Sequence, residues 1–285
     1  MSKTRKTFLF VALPLLIIFG LIIWQVTTKQ APNSTDQTAT PSTPANSESN
    51  TNTNKTTTSS VSWQQTATGW QAVGTPPACA DPLNLPVPAN LKLATSILYP
   101  GQYRGGNYKP HGGFRFNNSQ NADITVTVPL AGNVVQAARY LVSGETQYMF
   151  DVMTDCGIMY RLGHLLTLAP KFATIIDKLP AATEGDSRTE YINPPVAVTA
   201  GETMATAVGV TVGGVNTFFD LGVYNYNTKN AASADSAWAA KHQDDTSLAP
   251  YAVCWFDLLA TADEATVRAL PAADPGSGKT SDYCK

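Results

Sequence analysis

The sequence predicts a mainly β domain with antiparallel sheets and a few short helices, set behind an apolar N-terminal segment and a polar linker. Three observations carry that prediction. From residue 122 onward the hydrophobic period is two, as in ADITVTVPL, where Ile124, Val126 and Val128 alternate with other residues. Asp155-Cys156-Gly157 separates two apolar runs, the composition of a hairpin tip. Helical spacing is confined to short stretches, none of which repeats.

Residues 8–24, FLFVALPLLIIFGLIIW, form 17 apolar residues without charge, just long enough to span hydrocarbon. Lys3, Arg5 and Lys6 precede them, so the positive-inside bias predicts a cytoplasmic N-terminus and an extracytoplasmic remainder. A cleaved signal peptide is the competing reading; the following QVTTKQAPNS has no clear small-x-small site and favours an uncleaved anchor. This assigns 1–26 to a cytoplasmic stub and transmembrane anchor. Residues 27–60 are Thr, Ser, Asn, Gln and Pro with almost no apolar side chain, and read as a disordered tether.

Residues 61–95 are rich in proline and turn formers and predict an extended lead-in. GNVVQAARYLV and the two arms of TQYMFDVMTDCGIMYRLGHLL predict strands. In LAPKFATIIDKLP the period changes, with Phe172, Ile175, Ile176 and Leu179 on one face and Pro180 as a stop, which predicts a helix. Strands return in PPVAVTAGETMATAVG and NTFFDLGVYNYN. Residues 229–285 carry helical candidates near 232–242 and 262–270, and between them the apolar YAVCWFDLL, suited to docking on the main domain.

Residues 61–285 hold 14 Lys and Arg against 19 Asp and Glu, a net charge of −5 with no basic stripe, which argues against nucleic acid as a partner. Cys79, Cys156, Cys254 and Cys284 all follow the apolar segment, so an oxidising compartment and two disulfides are expected. Three connectivities are open; Cys254 and Cys284 share the C-terminal segment, which favours their pairing and leaves Cys79 with Cys156. No CxxC suggests a structural zinc knot. There is no G-x-S-x-G elbow, and GGNYKPHGG lacks the GK[ST] ending of a phosphate loop.

The three histidines are His111, His164 and His242. His242 lies in AKHQDDT and is expected to be solvated. HGGFR, VPLAGNVVQA, YMFDVMTDCGIMYRLGHL, VAVTAGETMATAVG and FFDLGVY, in that order, resemble the motif series of the lysostaphin-type zinc endopeptidases that cut peptidoglycan cross-bridges. The resemblance covers residues 96–226 and defines a peptidase-like domain at 96–228. It implies an antiparallel β-sheet groove with a zinc at its floor, held by the His and Asp of the first motif and the second His of a His-x-His pair.

Carried over position by position, the implied site is incomplete. His111 matches the first ligand, Arg115 stands in place of the Asp ligand, and Asp220 replaces the ligand histidine. Phe218 replaces a catalytic histidine, and His164 matches the histidine of the Tyr-x-His-Leu strand, though a strand-end hydrogen bond is the favoured account of it. A catalytic zinc needs three protein ligands and an open position, and a guanidinium cannot ligate. The resemblance therefore implies a degenerate member without zinc, in which Arg115 and Asp220 form an ion pair in the metal's space beside His111. Two alternatives stand beside it: Asp123 or Asp151 completes a ligand set while Arg115 points away, or the loop is a plain Gly-rich turn. Tyr103, Tyr160, Phe218 and Tyr224 are the expected lining of a groove for an extended polymer.

The function this implies is an anchored extracytoplasmic protein that binds cell-wall peptide or glycan, or regulates a partner hydrolase. The competing functions are an active zinc endopeptidase of peptidoglycan with altered ligands and a β-rich adhesin or lectin.

Overall fold

A computed structural model describes residues 61–285 of the chain. The expected anchor at 8–24 and the linker at 27–60 lie outside the described residues. Among the described residues no helix is long and apolar enough to cross a membrane.

The described chain opens with a hairpin, β1 (Ser62–Thr66) and β2 (Gly69–Val73), where an extended lead-in was expected. Gln64, Gln65 and Gln71 hid its strand character; what holds it is Trp70, 5 % exposed, docked on the sheet. Strands β3 (Ser96–Leu98), β4 (Gln102–Arg104), β5 (Asn107–Lys109), β6 (Gly112–Arg115) and β7 (Val126–Thr127) follow, with β4 and β5 pairing as a separate hairpin. The long meander is β8 (Gly132–Val142), β9 (Glu145–Met153) and β10 (Ile158–Leu168), its second turn at the predicted Asp-Cys-Gly. Helix α1 (Pro170–Ile176), β11 (Glu190–Val198), β12 (Thr203–Val208) and β13 (Phe218–Asn225) complete the domain. The C-terminal segment adds α2 (Ser236–Lys241) and α3 (Thr261–Ala269). Ile124, Val126 and Val128 are all buried, but only Val126–Thr127 pairs as a strand.

The nine-stranded sheet runs β11-β8-β9-β10-β13-β6-β3, with β12 bridging β10 and β7, and every pairing in it is antiparallel. Strand parity sends Phe114, Phe150, Tyr160, Leu162, Phe219 and Leu221 to one face, into a core with Phe172 of α1 and with Trp255 and Phe256 of the C-terminal segment. Phe114 packs between Phe219 at 5.4 Å and Trp255 at 5.3 Å, with the rings tilted. Burying each such side chain contributes about 1.5–3 kcal/mol. The opposite face carries Gly113, Arg115, Phe218, Asp220, Arg161 and Asp151. At one end of it Trp70, Met153, Met159, Tyr224 and Tyr226 form a second, smaller core.

Both disulfides form, Cys79–Cys156 and Cys254–Cys284. The first ties the lead-in to the β9–β10 turn. The second closes the C-terminal segment, whose residues 271–273 run beside β3, with Ile97 N donating to Pro271 O at 2.9 Å and Ala273 N to Ile97 O at 2.9 Å.

Candidate functional site

The outer face of the sheet forms a cleft in which two cavities, of about 300 Å³ and about 350 Å³, share Lys109, His111, His164 and Asp220. Register explains why these side chains meet. Asp220 on β13 sits opposite Gly113 of β6 and Gly163 of β10, so neither cross-strand neighbour has a side chain to fill the space. A Cβ on Gly113 would stand 2.8 Å from Asp220 Oδ1 and 2.6 Å from Phe219 O. The second glycine of HGG thus lets the carboxylate-bearing strand approach.

Into that space come two imidazoles. His111 Nε2 lies 3.2 Å and His164 Nε2 lies 3.4 Å from Asp220 Oδ2. His164 reaches it through an irregularity that sequence did not signal. Between Leu162 and Leu165 the β9–β10 register slips, and His164 adopts φ +60°. A left-handed non-glycine residue costs on the order of 1 kcal/mol or more, and such bulges re-aim a side chain. The displaced His164 N–H donates to Tyr140 Oη at 3.1 Å. Gln147 Nε2 donates to Gly209 O at 2.8 Å, which turns its Oε1 towards His164 Nδ1 at 2.5 Å, so Nδ1 carries the proton. Tyr140 and Gln147 were missed in the sequence because each reads as an ordinary strand residue.

Arg115 does not pair with Asp220, which corrects the expected ion pair. Its direct partner across β6–β13 is Phe218, and the guanidinium lies over that ring, 4.0 Å from the centroid. Asp123 caps the turn at 121–123, accepting from Gln120 N at 2.7 Å, and Asp151 is committed to Arg161, so neither joins His111 and Asp220. Among the described residues no group of three or more His, Cys, Asp or Glu could hold a metal ion. The two imidazoles here bracket one oxygen of the Asp220 carboxylate.

The aromatic lining also differs from expectation. Phe218 faces the cleft under Arg115. Tyr160 has inner-face parity, is fully buried and donates to Leu130 O at 2.7 Å. Tyr224 has outer-face parity but is covered by the second core. Tyr103, 45 % exposed, lies outside the cavities on the β4–β5 hairpin and approaches His242 Nε2 at 3.1 Å. His242, expected in solvent, is buried and places Nδ1 2.7 Å from Trp238 O.

Burial lowers the pKa of the His111 imidazole, and the attraction of Asp220 only partly offsets this. Burial pushes the Asp220 carboxyl up, but His164 and His111 together outweigh it and hold the group well below the usual carboxylate range. Both groups therefore titrate lower folded than unfolded. Each stabilises the fold above its ordinary value, 6.5 for His111 and 3.8 for Asp220, and that stabilisation drains as pH falls towards the folded values. Asp220→Asn should lower the His111 pKa further, since the attraction opposing burial is gone, and cost about 1–3 kcal/mol. An NMR titration of the His111 ring with urea unfolding at pH 7 checks both; an unchanged or raised imidazole pKa would exclude this coupling.

No protein-family model, curated protein or solved structure matches the chain.

Proposed function

We propose that residues 96–228 are a lysostaphin-type peptidase-like domain that has lost its metal chemistry and binds an extended cell-wall peptide or glycan in the cleft. The protein would present this domain outside the membrane on the N-terminal anchor. One observation carries the reading: the position of the family's Asp ligand holds Arg115, a cation that cannot ligate and is engaged with another side chain. Arg115 is spent on Phe218, and Asp220 on two imidazoles. What remains is a cleft with polar walls and an aromatic floor at Phe218, suited to gripping a chain.

The test uses the full-length protein with purified peptidoglycan sacculi. Co-sedimentation without release of soluble fragments, and less than stoichiometric zinc after dialysis against micromolar zinc, is the expected result. Stoichiometric zinc together with fragment release would overturn it in favour of the zinc endopeptidase. Absence of co-sedimentation would remove the wall polymer as the partner.

A further inference from the structure

Among the described residues, the Arg115 side chain of the cleft leaves its hydrogen-bonding capacity unused. Its guanidinium carbon lies 4.0 Å over the Phe218 ring, and among the described residues none of its guanidinium N–H groups donates to a protein acceptor. Those three bonds belong to its neighbour. Arg104 donates to Tyr99 O at 2.6 Å, Gln102 Oε1 at 3.0 Å and His111 O at 2.9 Å, all neutral acceptors, so its positive charge stays uncompensated by any ion pair. Lys109 lines the same cavity and also forms no ion pair among the described residues.

Against these three cations the cavity of about 350 Å³ sets two carboxylates, Asp220 and Asp274. Asp220 is already engaged by His111 and His164. The surplus positive charge and the unpaired guanidinium N–H groups suit an anionic ligand. A rigid planar fork matches the two oxygens of a carboxylate, which it binds bidentately. Asp220 and Asp274 nearby disfavour a dianion. Burial lowers the Arg115 pKa, partly opposed by Asp220, so a nearby negative charge would suit this guanidinium.

We propose that the Arg115 end of the cleft is a subsite for a monoanionic carboxylate, gripped by the Arg115 fork with Lys109 as a second, mobile cation. The subsite rests on the polymer-binding reading only for the identity of the molecule that carries the carboxylate.

N-acetyl-alanine, its uncharged amide and inorganic phosphate are the probes, titrated into the full-length protein while the arginine side-chain NMR signals are followed. Saturable shifts of the Arg115 signals with the carboxylate and none with the amide are expected. Arg115→Gln should weaken binding at least roughly tenfold, the scale of a lost charged, bidentate hydrogen bond. Arg115→Lys should fall between, and Lys109→Gln should show a smaller loss. Thermal unfolding of each variant identifies any that fail to fold, and Lys109→Gln, away from the sheet interior, carries the test should Arg115→Gln do so. Equal binding of acid and amide, tighter binding of phosphate, or wild-type affinity in Arg115→Gln would overturn the proposal. Sacculi that sediment equally with wild type and Arg115→Gln would retain the polymer-binding reading and remove the subsite. Carboxylate binding through Arg115 without sedimentation would do the reverse.

Discussion

Replacing Cys79 and Cys156 by serine is expected to remove roughly 4.5 kcal/mol of stability, from the chain entropy released by opening a long loop. The two cysteines are 77 residues apart, against 30 for Cys254 and Cys284, whose removal should cost roughly 3.6 kcal/mol on the same account. Geography adds to the difference. Cys79 fastens residues 74–85, which have few strand hydrogen bonds of their own, to the tip of the β9–β10 hairpin. The bridge also helps line a cavity of about 620 Å³ with Pro76, Leu83 and Leu258. Without it that segment should detach first, and hydrogen exchange should show early loss of protection there while β8–β10 stay protected. Denaturant unfolding of the two double serine variants measures the ranking. A smaller loss from opening the Cys79–Cys156 bridge than the Cys254–Cys284 bridge would show that its loop already holds structure when unfolded.

Asp151→Asn is expected to cost about 3–5 kcal/mol, the usual penalty for stranding one half of a buried ion pair. Asp151 is fully buried and receives Arg161 Nε at 2.6 Å and an Arg161 terminal nitrogen at 2.7 Å, directly across β9–β10. Burial alone would lower the Arg161 pKa; Asp151 outweighs it and holds the guanidinium firmly charged. Asparagine keeps the shape and removes the compensating charge. The double variant Asp151→Leu with Arg161→Met should recover much of the loss, because two apolar partners leave no buried charge. Urea unfolding of both variants decides the matter. Near-wild-type stability of Asp151→Asn would mean that water reaches Arg161 and solvates it. Since Arg161 lines the cleft, the single variant should also weaken the proposed polymer binding.

Much of the backbone plan was legible in the residues. GNVVQAARYLV is strand β8 from end to end, Asp-Cys-Gly turns the hairpin, and Phe172, Ile175 and Ile176 bury one face of a helix. These are local patterns of period and turn chemistry, and they survive folding because neighbouring residues enforce them. The β1–β2 hairpin was missed because its stability comes from Trp70 packing on strands more than 60 residues away in sequence. His242 was misplaced for the same reason: a polar stretch around it says nothing about Tyr103, which approaches it from the β4–β5 hairpin.

The candidate site divides along the same line. His111, Arg115, His164, Phe218 and Asp220 could be singled out from the linear order of motifs, and all five face one cleft. Which of them touch was decided by the cross-strand register. That register sets Arg115 opposite Phe218 and Asp220 opposite Gly113, so the expected ion pair gives way to a stacked guanidinium and a carboxylate shared by two imidazoles. Sequence by itself determined the β character, the cysteine complement and the roster of chemical groups, because composition and periodicity are properties of the chain. Only the tertiary structure decided their partners, because a shift of one residue between paired strands changes every side-chain contact while leaving each strand's own pattern intact.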